Sequence, residues 1–144
     1  MEAGEKIKLF LVDDDMLFLK LLEIEFLHHA DFIIETFATG ELCIENLHHC
    51  PDVIILDYNL NGIDKNAMNG ITTLDKIKVH TPDIAVIMLS AQDKIDIAVN
   101  CIHHRAFDYV VKSETAFIRL QKIITSIFTY RKMEKTLNWY INRI

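Results

Sequence analysis

Short apolar runs alternate along this chain with longer segments in which apolar residues recur at helical spacing. Runs of this kind are typical of strands that are buried on both faces of a sheet. The predicted strands are residues 8–12, 32–37, 53–56, 84–89 and 108–111. The stretch 53–56 has the strongest strand pattern, because it consists of Val, Ile and Leu alone.

Five helices are predicted between and after these strands: residues 15–29, 40–49, 70–80, 95–104 and a last one that begins at Ala116. In the first helix, Leu17, Leu21 and Ile24 recur at helical spacing. Strands that alternate with helices predict an α/β fold, in which a parallel sheet has helices on both faces.

The last helix is longer than one sheet needs. Its first half should pack on the core through Phe117, Leu120, Ile124 and Ile127. Beyond them a second apolar stripe follows at three- and four-residue steps, typical of a coiled-coil seam: Tyr130, Met133, Leu137, Tyr140 or Ile141, and Ile144, with Trp139 beside it. This half is predicted to be either an extra packed turn, a dimerisation helix or the start of a helix to an output domain. No helix stop signal follows, which favours a chain that continues.

Composition indicates one compact domain, residues 1–144, with a core at about 7–128. Hydrophobic residues make up 51% of the 144 residues and charged residues 25%, with only four Gly and two Pro, and no repeat or linker is evident. The net charge of −6 argues against direct nucleic-acid binding. Six basic residues nevertheless follow Ala116 against one acid, Glu134, and a solvated helix face explains them.

Cysteine usage and the first residues predict a cytoplasmic protein. Cys43, Cys50 and Cys101 lack metal-ligand spacing and cannot all pair, so reduced thiols are expected. The N-terminus has no apolar core of a signal peptide, and the apolar runs are too short for a membrane span.

Polar side chains follow four of the predicted strands at the point where each strand ends. Asp13 and Asp14 follow the first strand, Asp57 the third, Ser90 the fourth and Lys112 the fifth. Right-handed crossovers bring the carboxyl ends of parallel strands to one edge of the sheet, so these side chains should share a pocket. Three carboxylates held together would repel one another unless a cation sat among them, and Mg²⁺ is the hard cation that suits them.

The residues of this pocket suit phosphoryl transfer. Asp57, at the end of the central strand, is the candidate nucleophile, because a carboxylate of this kind can form an aspartyl-phosphate. A metal ion and Lys112 would neutralise charge on the transferred group, and Ser90 could donate a hydrogen bond to it.

The combination of these motifs resembles the receiver domain of two-component response regulators, of the chemotaxis-regulator type, over residues 7–128. The resemblance implies a flavodoxin-like (βα)5 fold with strand order 2-1-3-4-5. It implies a phosphorylation-dependent signalling switch, not a metabolic enzyme, with a sensor histidine kinase or phosphotransfer protein as its partner. A homodimer or a downstream output domain would use the helix 4/strand 5/helix 5 face and the last helix.

The resemblance also assigns roles by position. Asp13 and Asp14 match the acidic metal pair, Asp57 the phospho-acceptor, and Asn59 the residue whose backbone carbonyl completes the Mg²⁺ site. The other matches are Ser90, the hydroxyl that moves toward the phosphoryl group; Ala91, which leaves room for it; Tyr109, the aromatic switch; and Lys112, its cationic contact.

Three features depart from the family pattern. Asn61 stands where a proline is usual, and the family glycine comes late, at Gly70, so residues 62–69 hold an insertion of about five residues beside the site. Ser113 replaces the usual proline after Lys112, and a cis bond there would cost about 3–4 kcal/mol without proline.

Two other functions are considered. A phosphatase of the haloacid-dehalogenase class would need an acid two residues after its nucleophile, and Asn59 occupies that position. A pseudo-receiver that binds proteins independently of phosphorylation is the other alternative. Three histidine pairs close predicted helices, where we expect capping or solvated roles rather than phosphotransfer: His28-His29, His48-His49 and His103-His104.

Overall fold

The computed structural model describes residues 6–29 and 31–143, in which five parallel strands alternate with five α-helices. The strands are β1 (Ile7–Val12), β2 (Phe32–Phe37), β3 (Val53–Asp57), β4 (Ala85–Ser90) and β5 (Asp108–Val111). The helices are α1 (Met16–Leu27), α2 (Gly40–Glu45), α3 (Gly70–His80), α4 (Ile95–His103) and α5 (Ala116–Arg143). The predictions for the first five residues and for Ile144 lie outside the described residues.

The sheet has the order β2-β1-β3-β4-β5, which confirms the predicted flavodoxin-like fold. Successive side chains of a strand point to opposite faces, so the central strands contribute side chains to two separate hydrophobic cores. On one face, β-strand residues such as Leu11 and Ile55 pack with α1 and α5. On the other face, Phe10, Ile54 and Met88 pack with residues of α2, α3 and α4.

The packed face of α1 differs from the one that the sequence indicated. Leu17, Leu21 and Ile24 are 72%, 54% and 42% exposed, and the helix buries Leu19, Leu22 and Phe26 instead. This helix is apolar on nearly every side, so helical spacing alone could not tell which of two apolar stripes meets the sheet.

The second helix is shorter than predicted. The α-helix ends at Glu45, the backbone turns at Asn46 (φ −107°, ψ 11°), and a 3-10 turn covers Leu47–His49. Cys50 then adopts a left-handed conformation with φ 57°, which redirects the chain into β3. The prediction of one helix to His49 therefore merged two elements.

The two halves of α5 have different surroundings. Ala116, Leu120, Ile124 and Ile127 are buried, and Phe117 packs partly against the same core, as the sequence predicted. The distal half exposes an apolar stripe in which each side chain is more than half accessible: Tyr130, Met133, Leu137, Trp139, Tyr140 and Ile141. Within the described part of the chain, α5 included, no helix has the length and apolarity needed to cross a membrane.

Candidate functional site

The register of the sheet aligns four strand ends at one edge. Val12 pairs with Leu56, Asp57 with Leu89, and Ser90 with Val111. Asp13 follows β1 directly and starts level with Asp57, whereas Lys112 follows β5 two residues beyond that level and reaches back with its long side chain. This alignment brings acidic and basic residues that are far apart in sequence to one place.

Asp13, Asp57 and Lys112 form a buried charged group at this edge. Asp13 and Asp57 are only 2% and 3% exposed. The Lys112 Nζ lies 2.8 Å from Asp13 Oδ2 and 3.5 Å from Asp57 Oδ1. Burial disfavours the Lys112 ammonium, but its contacts with Asp13 and Asp57 outweigh burial and raise its pKa. Among the described residues, this lysine is the one cation paired with these carboxylates.

The Asp57 carboxyl is strongly perturbed. Burial and the neighbouring Asp13 charge raise the pKa of Asp57 to about 8, although Lys112 and the Asn59 backbone act in the opposite direction. The Asn59 N–H donates to Asp57 Oδ1 at 3.3 Å. Neighbouring carboxylates disfavour one another's ionised forms, and a cation bound among them would have the opposite effect on the Asp57 pKa.

Asp14 completes a triad of carboxylates. Asp13, Asp14 and Asp57 each offer an oxygen, and these oxygens lie within 4.8 Å of one another. Asp13 Oδ1 accepts the Asp15 N–H at 2.9 Å, whereas Asp13 Oδ2, apart from its ion pair with Lys112, has no well-aligned hydrogen bond to any described residue. Hard oxygen donors with an unsatisfied buried oxygen fit a small divalent cation such as Mg²⁺.

Ser90 and Tyr109 both hold the backbone of Gln92. The buried Ser90 Oγ accepts the Gln92 N–H at 3.0 Å, and the Tyr109 hydroxyl donates to the Gln92 carbonyl oxygen. The half-buried Tyr109 ring packs against the core between the sheet and α4. The two side chains therefore contact opposite ends of one residue in the β4–α4 segment.

An open cavity of about 470 Å³ lies above the carboxylates. Its walls include residues that were expected there, namely Asp14, Asp57, Asn59, Ala91 and Lys112. Gly62 and Ile63 also line it, and both belong to the insertion that was expected beside the site. Sequence reasoning missed Asp15 and Met16, which line the cavity, and Phe18, whose ring centroid lies 4.7 Å from the Lys112 Nζ. Only their proximity in sequence to the acidic pair could have indicated them.

Gly70 explains how the insertion joins the site. A side-chain Cβ at this position would lie 2.5 Å from the Asp57 carbonyl oxygen and 2.6 Å from that of Tyr58. Both contacts are to backbone and are too short for any side chain, so α3 can begin against β3 only with glycine there. The Asn69 side chain caps the same helix by accepting the Thr72 N–H at 2.8 Å.

The remaining sequence features lie away from this cavity or are ordinary in geometry. None of the six paired histidines lines it; His49 bonds Glu35 at 2.8 Å and His104 bonds Asp75 at 2.9 Å. No cis peptide bond occurs in the described residues, so the Lys112–Ser113 bond is trans.

The comparison with known families decides which class of protein this is. The sequence profile of the response regulator receiver domain matches residues 9–125. The chain belongs to the response regulator receiver family. This receiver is therefore a module of two-component signalling, and the predicted family is confirmed.

Individual relatives agree with this assignment. The luminescence regulatory protein LuxO of Vibrio campbellii is 35% identical over 80 residues, which are 55% of this chain and 17% of that protein. A protein-glutamate methylesterase/protein-glutamine glutaminase of Clostridium acetobutylicum is 36% identical over 118 residues, 78% of this chain and 32% of that protein. The chain thus spans less than a third of either relative.

The solved structure of a CheX–CheY–BeF3–Mg complex from Borrelia burgdorferi has the same fold. It is 27% identical, with a TM-score of 0.74, and the match covers 88% of this chain and 92% of that chain. The likeness extends over most of the receiver described above.

Proposed function

We propose that this receiver is a switch in which Asp57 accepts a phosphoryl group from a sensor histidine kinase, with Mg²⁺, and a shift of Ser90 and Tyr109 reports it. The observation that supports this proposal most is the buried group of Asp13, Asp57 and Lys112, with Asp14 beside it. Such a group combines a nucleophile, a cation and oxygen ligands within one small volume.

Asp13, Asp14, Asp57 and the Asn59 backbone carbonyl would hold the metal ion. The carboxylate oxygens that lie within 4.8 Å of one another suit it, and the related Borrelia complex contains magnesium together with BeF3. Bound Mg²⁺ would neutralise negative charge on the phosphoryl oxygens during transfer.

The transfer step needs one nucleophile and one leaving group. An Asp57 carboxylate oxygen attacks phosphorus, the new O–P bond forms, and the N–P bond of the donor's phosphohistidine breaks. The electron pair returns to the imidazole nitrogen, which takes up a proton from water. Lys112, 3.5 Å from Asp57 Oδ1, stabilises the charge of the incoming group.

Gln92 links the phosphorylation site to the surface. To donate to a phosphoryl oxygen, the Ser90 hydroxyl would shift toward it, and that shift would disturb the hydrogen bond that Ser90 now accepts from the Gln92 N–H. Because Tyr109 bonds the carbonyl of that same residue, movement of Ser90 disturbs the tyrosine as well. Phosphorylation then shifts a two-state equilibrium of the face formed by α4, β5 and α5.

Partners would bind two exposed apolar surfaces. On α4, Ile95, Val99 and Ile102 are 84%, 62% and 50% exposed, and the distal half of α5 carries the stripe described above. We propose these as the sites of a homodimer or of a downstream output domain. A cytoplasmic location, no membrane contact and no direct nucleic-acid binding complete the proposal.

A pseudo-receiver that binds proteins without phosphorylation is the second candidate. The insertion at residues 62–69 favours it, since Gly62 and Ile63 at its start line the cavity. Binding of a kinase without phosphate uptake would distinguish this function.

The decisive experiment is the intact mass after incubation with acetyl phosphate or phosphoramidate. We expect the wild-type protein to gain one phosphate in MgCl₂ and none in EDTA, and Asp57→Asn to gain none. Glu35→Gln, a carboxylate change outside the cavity, is the matched control and should be phosphorylated normally. Equal uptake by Asp57→Asn would overturn the acceptor assignment, and no uptake by folded wild type, even from its kinase, would favour the pseudo-receiver.

A further inference from the structure

The loop of residues 62–69 is anchored at both ends by carboxylates from other elements. At its start, Asp14 Oδ2 accepts the Gly62 N–H at 3.1 Å and the Ile63 N–H at 3.2 Å. Near its end, the Glu41 carboxylate on α2 accepts the Met68 N–H at 3.1 Å. The insertion is therefore fastened near both ends, its first two residues line the cavity, and one of its two anchors is a carboxylate of the acidic triad.

The two hydrogen bonds at the start of the loop restrict Asp14. This residue is only half-buried and lies in the turn between β1 and α1, where an unbonded carboxylate would rotate freely. Two donors on Oδ2 fix the plane of the carboxylate and leave Oδ1 available. Outer groups that orient a metal ligand in this way commonly change metal affinity by 10- to 100-fold.

Gly62 lets the loop backbone lie close to the Asp14 carboxylate because it has no side chain. A Cβ at position 62 would lie 3.3 Å from Asp14 Oδ2 and 4.0 Å from the Asn59 carbonyl oxygen. A Cβ there would crowd Asp14 Oδ2, one of the groups expected to bind the cation, whereas its distance to the Asn59 carbonyl oxygen is an ordinary van der Waals contact. Gly62 and Ile63 also line the cavity, together with Asp14 and Asp57.

From these contacts we infer that the Gly62–Ile63 backbone positions Asp14 for Mg²⁺, so that loop closure and Mg²⁺ binding favour each other. The inference rests on the proposed function, since it concerns the same metal site. Linkage requires the effect to be mutual: if the closed loop strengthens Mg²⁺ binding, bound Mg²⁺ must stabilise the closed loop by the same factor.

The first test is calorimetric titration of the metal-free protein with MgCl₂. Ile63→Pro removes one of the two donors, and we expect it to weaken Mg²⁺ binding roughly tenfold. Asn66→Ala is the matched control, because the side chain of this exposed loop residue makes no hydrogen bond to another described residue, and it should bind Mg²⁺ as the wild type does. Equal affinities for wild type and Ile63→Pro would overturn the inference.

Two further variants cover the case in which Ile63→Pro does not fold. Gly62→Ala keeps both N–H groups but presses a methyl group on Asp14, and Glu41→Gln weakens only the distant anchor. Both should lower Mg²⁺ affinity without lowering the melting temperature of the metal-free protein by more than Asn66→Ala does. Unchanged affinity in both would overturn the positioning role.

Hydrogen exchange provides a readout that does not depend on phosphate uptake. We expect MgCl₂ to slow exchange at the Gly62 and Ile63 amides of the wild type, because bound metal would hold the loop closed. Faster exchange in MgCl₂ would mean that the ion displaces the loop, which overturns the inference. Wild-type phosphorylation separates the two proposals: uptake with equal Mg²⁺ affinities overturns only the loop role, whereas no Mg²⁺ binding by wild type overturns both.

Discussion

Two groups of charged residues in this receiver show how differently the same side-chain types can be used. At the carboxyl ends of the strands, Asp13 and Asp57 are almost completely buried and share one lysine, Lys112. Toward the edge where the strands begin, Glu35 bonds both Lys8 at 3.2 Å and His49 at 2.8 Å, and these three side chains are 28–37% exposed. We call the second group the Glu35 cluster.

The difference lies in charge balance and in water. Water screens the Glu35 cluster and each member has a partner, so such groups contribute about 0–1 kcal/mol to stability. The buried group has more carboxylates than cations, and this imbalance supports the proposed site for a divalent cation. The Glu35 cluster is balanced and partly exposed, as charged groups that solvate a surface usually are.

The largest effect on stability should come from removing the buried cation. We expect Lys112→Met to lower the free energy of unfolding of the metal-free protein by about 3 kcal/mol, because it leaves the buried Asp13 carboxylate without its paired cation. The matched change Lys8→Met in the Glu35 cluster should cost less than about 1 kcal/mol. Urea unfolding in EDTA measures both.

The response of the two variants to MgCl₂ provides a second test of the difference between the two charged groups. MgCl₂ should restore much of the stability of Lys112→Met, because the metal supplies the missing positive charge, and should not change the effect of Lys8→Met. Similar losses in the two variants, or no response to MgCl₂, would contradict the contrast drawn between the two groups.

The pH dependence of stability should be smaller, for each pH unit, than the effect of Lys112→Met. The folded protein raises the Asp57 pKa from its usual value to about 8, so between about pH 4 and 8 the folded state holds a proton that the unfolded state has lost. Stability of the metal-free protein should therefore fall as pH rises through that window, by up to about 1.4 kcal/mol per pH unit from this group.

Asp57→Asn should flatten this dependence and make the metal-free protein more stable near pH 8. Thermal unfolding across the pH range, in EDTA and in MgCl₂, provides the measurement, and MgCl₂ should flatten the wild-type curve as the cation replaces the proton. If the stability of wild type and of Asp57→Asn changed with pH in the same way in EDTA, the folded protein would not raise the Asp57 pKa, which would contradict this prediction.

The smallest effect should come from Glu35→Gln. Burial disfavours the Glu35 carboxylate, but its bonds to His49 and Lys8 outweigh this and lower its pKa. Its contribution is present at neutral pH and is lost as pH falls through that lowered value. We expect a loss of under about 1 kcal/mol at pH 7 that shrinks in high salt, by urea unfolding. A larger loss that is insensitive to salt would contradict the exposed character of the cluster.

The sequence predicted the sheet and the polar strand ends because both follow from simple periodicity and chirality. Apolar runs defined the strands, and right-handed crossovers brought the ends of β1, β3, β4 and β5 to one edge. The family motif assigned residues to that edge. These signals depend on neighbouring residues or on general rules of topology, so a single sequence was enough to predict the sheet and its polar edge.

Contacts that depend on three-dimensional packing were not predictable. Helix α1 carries two apolar stripes, and only packing selects the one that contains Leu22 and Phe26. The sequence indicated the insertion but not that its backbone would bind Asp14. A loop has no periodic pattern from which the orientation of its N–H groups could be predicted. The cavity-lining position of Met16 and the placement of the Phe18 ring beside Lys112 follow from the same packing.

The distal half of α5 would convert a small tilt of the helix into a larger displacement of its far end. Arg131 still donates to the Asp52 carbonyl oxygen at 3.4 Å, and residues 132–143 extend the helix by about 18 Å beyond it, at about 1.5 Å per residue. A tilt of about 10° at that point would therefore move the far end by about 3 Å, on the same helical rise. A rearrangement of β5 too small to expose any core residue would thus be amplified into a displacement that a second protein could detect.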